Sequence, residues 1–135
     1  MKTVTKKIRS SRSNIDEIEK LLISINREFK LPEEKFNNLM IAVTEILLNA
    51  IVHGNKLNEE KMVTICIDYD DDEIKVKICD EGNGFDYSDI PDPTSEENLF
   101  KASGRGMYIV RALVKDFKYE KTDKGLEITL IVNKK

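Results

Sequence analysis

The stretch from Pro32 to Gly54 restricts the possible folds of this 135-residue chain more than any other. Phe36, Leu39, Met40, Val43, Leu47, Ala50 and Ile51 recur every three or four positions, the period of a helix with one buried face. Pro32-Glu33-Glu34 suits the start, because proline is tolerated in a first turn and acids favour the positive end of the helix dipole. Gly54 suits the stop. Polar residues interrupt the apolar pattern. Glu45, Asn49 and His53 stand at i, i+4 and i+8, which stacks them along one face. A carboxylate buried beside so much apolar surface is costly unless something compensates it. That face either pairs with other residues of the fold or lines a ligand site.

The rest of the chain supplies a sheet for this helix to cover. Residues 2–9 alternate as an edge strand with Val4 and Ile8 on one side and lysines protecting the edge. Asn14 and Glu17 have the spacing of a capping box, opening a helix whose buried stripe is Ile15, Ile18, Leu21, Leu22 and Ile25. Beyond the second helix, Val63, Ile65 and Ile67 and then Ile74, Val76 and Ile78 alternate about the acidic turn Tyr69-Asp70-Asp71-Asp72, a hairpin pattern. Periodicity is weak from Asp86 to Ser103, and a loop of that length in a compact domain is usually functional or mobile. Gly104-Arg105-Gly106 opens a helix carrying Met107, Ile109, Val110, Leu113 and Val114. Strands near 117–121 and 126–132 close the chain around Thr122-Asp123-Lys124-Gly125. This order predicts a single α+β domain over residues 1–135, a two-layer sandwich. Its mostly antiparallel mixed sheet would carry three main helices on one face.

Composition sets outer limits. Hydrophobic residues make up 40% and charged residues 35%, ordinary for a globular domain. No apolar run approaches the roughly 20 residues of a membrane span, so no membrane association is expected. Cys66 and Cys79 fall in apolar strand patterns and read as small core residues in a reducing compartment. The first residues lack the apolar core of a secretory signal, which together with the cysteines points to the cytoplasm. The net charge of −3 speaks against general nucleic-acid binding. Lys2, Lys6, Lys7, Arg9 and Arg12 make a local basic run, a solvated edge strand or a partner contact.

Two glycine segments accompany the polar helix face. Asp80-x-Gly82-x-Gly84 follows a strand; it is either a tight turn or a place where Asp80 accepts a hydrogen bond from a ligand that packs on the glycines. Gly104-x-Gly106 is either a cap or a helix start whose N–H groups face phosphate. Other phosphate motifs fail: there is no G-x-x-x-x-G-K-[ST], and Ile109 stands where a dinucleotide fingerprint wants a small residue. Asp68-x-Asp70-x-Asp72 lacks the glycine and glutamate of a calcium loop, having Glu73 and Cys79 at those places.

Glu45-x-x-x-Asn49-Ala50-x-x-His53-Gly54, then Asp80-x-Gly82-x-Gly84, then Gly104-x-Gly106-Met107, resemble in order and spacing the three nucleotide-binding boxes of the Bergerat-fold ATPases. The resemblance covers about residues 10–132, and the first box with the small size is most similar to the anti-sigma-factor serine kinase branch. It implies ATP and Mg²⁺ as cofactors, with Asn49 as the metal ligand and Glu45 as the general base. Asp80 would read the adenine amino group, and Gly82 and Gly84 would let base and ribose pack closely. Residues 86–103 would be a lid, Gly104 and Gly106 its hinge and phosphate cradle, Met107 a nucleotide-binding residue and Arg105 an added charge near the γ-phosphate. His53 would belong to the helix end and Asn55 to a cap or turn, not to the ligands. One departure stands out: the usual Gly-Thr of the last hairpin is Gly125-Leu126 here, leaving Thr129 as the substitute that would help hold adenine.

The function implied is a serine/threonine protein kinase that phosphorylates an anti-sigma-factor antagonist of the STAS type and sequesters a sigma factor by partner switching. A homodimer is implied too. The alternative is a non-catalytic module that exchanges partners on ATP binding alone; Glu45 favours the kinase.

Overall fold

The computed structural model describes residues 1–82, 110–114 and 116–135. Gly84, Gly104, Arg105, Gly106, Met107 and the expected lid at 86–103 lie outside the described residues. The elements are β1 (Lys2–Arg9), α1 (Ile15–Phe29), α2 (Glu33–Asn49), β2 (Met62–Tyr69), β3 (Glu73–Cys79), β4 (Asp116–Thr122) and β5 (Gly125–Asn133). Residues 110–113 are helical. The strands form one sheet in the order β1-β2-β3-β5-β4, every described pairing antiparallel.

Register decides which side chains meet. Val4 pairs with Ile67, Ile65 with Ile78, Val76 with Leu130 and Ile78 with Ile128, so one face of the sheet is almost wholly branched aliphatic. The period-2 alternation of strands carries these residues inward together. Against them α1 buries Ile15, Ile18, Leu22, Ile25 and Phe29, and α2 buries Leu39, Ala42, Val43, Ile46 and Leu47. The other face carries Thr64, Cys66, Lys75, Lys77, Glu127 and Thr129. Both cysteines are half-buried on that polar face, so they are not the core residues the strand pattern suggested.

Helix starts and stops also correct the sequence reading. The expected capping box does not form. A short 3₁₀ helix, Arg12–Asn14, already holds Asn14 in helical conformation, and its amide donates to the Arg9 carbonyl instead. Pro32 stands just ahead of α2, its carbonyl accepting the Phe36 N–H at 2.9 Å. The helical stretch Glu33–Gly54 is 22 residues long and, by length and composition, apolar enough to cross a membrane, contrary to the expectation from sequence. Its packing explains the composition: Leu39, Val43, Ile46, Leu47 and Ile51 are buried against the sheet, which makes it the core helix. In the β2–β3 turn, one Asp70 carboxylate oxygen accepts the N–H groups of Asp72 and Glu73, and these bonds lower its pKa.

Candidate functional site

The site lies where the end of α2 meets the ends of β3 and β5. The helix does not stop at Asn49 but widens into a π-helical turn, Ala50–Gly54, closed by the Asn55 N–H on the Ala50 carbonyl at 2.8 Å. Such turns insert one residue into the ladder and occur often at functional sites. Asn49 is 8% exposed. Glu45, one turn earlier, is only half-buried, and so is His53. The burial expected for Glu45 therefore falls on Asn49, deeper along the same helix.

Asp80 is buried at 6% exposure and tied to β5 on both its main chain and its side chain. Its N–H donates to the Leu126 carbonyl at 3.0 Å, while its Oδ1 accepts the N–H groups of Leu126 and Gly82, each at 3.1 Å. Burial raises the pKa of this carboxyl above its ordinary value, and the two backbone N–H groups partly oppose the shift. Three glycines make the room. A β-carbon on Gly54 would stand 2.3 Å from Asp80 Oδ2, one on Gly125 2.1 Å from the Asp80 carbonyl, and one on Gly82 1.5 Å from the Gly54 carbonyl. Gly125 also has φ of +154°, which side chains disfavour.

Ile46, Asn49, Ala50 and Gly54 face Ile78, Asp80, Leu126 and Ile128 across a cleft of about 10 Å³, room for about one water. A flat ligand of purine size fits only if these walls separate. The lining is otherwise suited to one: branched aliphatic faces, with one buried carboxylate to accept a hydrogen bond at the edge. Among the described residues no three His, Cys, Asp or Glu side chains gather as a metal cluster. A magnesium ion that takes most of its ligands from phosphate and water needs only an oxygen such as the Asn49 amide.

The structure thus brings together Asn49, Asp80 and Gly82, with Glu45 one helical turn away. It does not bring Thr129. Thr129 pairs with Lys77 and Lys118 on the polar face, one residue out of phase with the inward Leu126 and Ile128, so it cannot substitute for a threonine at the cleft. Leu126 itself lines the cleft, and its main chain performs the holding of Asp80. Sequence reasoning missed the buried Asn55–Ser10 network and the contact of Gly54 with Asp80; the adjacency of Gly54 and Asn55 in the first box was the available signal.

Comparison with known proteins agrees with this fold. The profile of the histidine kinase-like ATPase domain matches residues 8–132. The chain is 33% identical over 98 residues to a Staphylococcus epidermidis protein named serine-protein kinase RsbW, covering 67% of this chain and 61% of that one. It therefore spans less than two thirds of that relative's length. It is 32% identical over 105 residues to the anti-sigma F factor of Clostridium acetobutylicum, covering 76% of this chain and 71% of the relative. Among solved structures, the RsbU and RsbW domains of a Mycobacterium tuberculosis protein match with a TM-score of 0.70 at 14% identity, over 97% of this chain and 32% of that one. The SiaB–SiaC complex of Pseudomonas aeruginosa also matches at 0.70, with 13% identity over 96% of this chain and 88% of that one. At such identities these two structures speak for the fold.

Proposed function

The chain belongs to the histidine kinase-like ATPase domain family, and from that premise we propose that it is an ATP-dependent serine/threonine protein kinase and anti-sigma regulatory factor. Its substrate is an anti-sigma-factor antagonist of the STAS type, and its other partner is a sigma factor held or released according to that phosphorylation. The observation that carries the nucleotide reading is the buried Asp80 carboxylate, set by Leu126 and Gly82 at the edge of an aliphatic cleft that also holds Asn49. The names of the staphylococcal and clostridial relatives support the kinase and anti-sigma roles.

Each residue has a task in that scheme. Asp80 accepts a hydrogen from the exocyclic amine of adenine, while Ile78 and Ile128 pack against the base. Asn49 supplies an amide oxygen to Mg²⁺, which neutralises charge on the phosphates. Glu45, half-exposed one turn from Asn49, is open to a protein substrate and takes the proton from its serine hydroxyl as that oxygen bonds to the γ-phosphorus and the bond to ADP breaks. The resemblance would give Gly104, Arg105, Gly106 and Met107 the phosphate side and residues 86–103 the lid, all outside the described residues. A cytoplasmic location and a homodimer belong to the same proposal.

The test is transfer of label from radiolabelled ATP with magnesium to a STAS-type antagonist, comparing wild type, Glu45→Ala and Asn49→Ala. Transfer lost in both variants supports the kinase. Nucleotide binding without transfer would leave an ATP-gated partner-binding module in its place.

A further inference from the structure

Asn55 is 1% exposed, and its side chain makes three hydrogen bonds to three separate segments. Its Nδ2 donates to Ser10 Oγ at 2.8 Å, just past β1, and to the Met62 carbonyl at 3.1 Å, the first residue of β2. Its Oδ1 accepts the Glu81 N–H at 2.9 Å, the residue directly after Asp80. Ser10 Oγ passes its own hydrogen to the Lys61 carbonyl at 2.6 Å, and the Glu81 carboxylate accepts the Met62 N–H. Every polar group of the Asn55 side chain is thus engaged, the condition under which a buried network rigidifies its surroundings instead of destabilising them.

The bond to Glu81 lies between the two ends of the candidate site. Asn55 directly follows Gly54, whose Cα packs against Asp80 Oδ2 and whose carbonyl packs against Gly82. Gly82 in turn donates its N–H to Asp80 Oδ1. The Glu81 N–H, between the reading carboxylate and the glycine that holds it, is accepted by the Asn55 side chain, beside the Glu81 carboxylate's own bond to the Met62 N–H.

We propose that Asn55 is a positioning residue for base recognition: its carboxamide fixes the Glu81–Gly82 turn, and so the aim of the Asp80 carboxylate, to the end of the helix that carries Asn49. This rests on the reading of Asp80 as the adenine-binding group. Ser10 belongs to the same buried network without touching Glu81, so it separates positioning from plain stability.

The experiment uses the full chain as wild type, Asn55→Ala, Asn55→Asp and Ser10→Ala. It reads the ratio of ATP to inosine triphosphate affinity (an amine against a carbonyl at the same ring position), the amide exchange of Glu81, and thermal unfolding. Asn55→Ala is expected to reduce the ATP preference about tenfold, on the order of one hydrogen bond, and to speed Glu81 exchange. Asn55→Asp, which keeps an oxygen for the Glu81 N–H but loses both Nδ2 donations, is expected to retain more of the preference than Asn55→Ala while unfolding at a lower temperature. Ser10→Ala is expected to lower the melting temperature with the preference unchanged. An unchanged ratio and unchanged Glu81 exchange in Asn55→Ala would overturn the proposal, as would an equal loss of preference in Ser10→Ala. A wild type that prefers neither nucleotide overturns the role in base recognition; if Glu81 exchange still rises in Asn55→Ala, the fault lies in the Asp80 reading and the fixing of the turn stands.

Discussion

Gly54 and Asp80 are in such close contact that a β-carbon on the glycine would stand 2.3 Å from the aspartate Oδ2. The last residue of the widened helix and the first polar residue past β3 therefore share one space. That contact, together with the Gly54–Gly82 contact and the Asn55–Glu81 hydrogen bond, joins the helix bearing Glu45 and Asn49 to the strand end bearing the carboxylate.

Gly54→Ala should thus act on binding as well as on stability. The clash falls on a carboxylate that can rotate away, at the expense of its hydrogen bonds to Leu126 and Gly82. A stability loss of about 1–2 kcal/mol is expected, with nucleotide affinity falling tenfold or more, on the order of a misplaced charged hydrogen bond. Gly82→Ala meets the Gly54 backbone instead, which cannot rotate away, and should cost more stability. Urea unfolding beside nucleotide titration distinguishes the two.

Asp80→Asn should stabilise the free protein and weaken adenine binding. Burial raises the folded pKa of Asp80, so the folded state holds that proton more tightly than the unfolded state. The stabilising contribution is complete below the unfolded pKa and is lost as pH rises through the folded one. The advantage of Asp80→Asn should accordingly grow as pH rises through that window and level off above the folded pKa. Wild-type affinity for ATP should fall as pH is lowered through the same raised pKa, since the charged carboxylate is the better acceptor. Urea unfolding and nucleotide titration across acidic to neutral pH check both signs.

Leu126→Thr restores the residue usual at that place in the resembling family and should raise ATP affinity up to about tenfold, one neutral hydrogen bond gained. Replacing a buried aliphatic side chain should cost about 1–2 kcal/mol of stability. Thr129→Ala, on the polar face of the sheet, should leave affinity unchanged. Calorimetric titration of the two variants measures this.

Cys79 should resist alkylation. Burial first, and then the Glu127 carboxylate beside it, push its thiol up to about 11. At pH 8 only about one molecule in a thousand would carry the reactive thiolate. Mass-resolved labelling with iodoacetamide should show Cys79 reacting slowly, with a rate that climbs until about pH 11.

The strands and helices were legible because their apolar residues repeat at two clean periods: Val63, Ile65 and Ile67 at two, and Ile15, Ile18, Leu22 and Ile25 at three and four. The pairing of Asn49 with Asp80 was legible only through motif order. Periodicity says nothing about which strand end a helix end meets. The cysteines were misplaced because a strand buried on one face and flanked by polar residues leaves a small residue's side undecided until register is known. Thr129 was misplaced for the related reason that a slip of one residue crosses the sheet. Asn55 was passed over as a turn residue because its three partners are spread along the chain at Ser10, Met62 and Glu81.

The most direct test is calorimetric titration of wild type and Asp80→Asn with ATP and with inosine triphosphate, magnesium present throughout. Tighter binding of ATP by wild type, with the difference between nucleotides lost in Asp80→Asn, is the expected result. Failure of wild type to bind ATP, or a preference for ATP that survives in Asp80→Asn, would contradict Asp80 as the adenine-reading group.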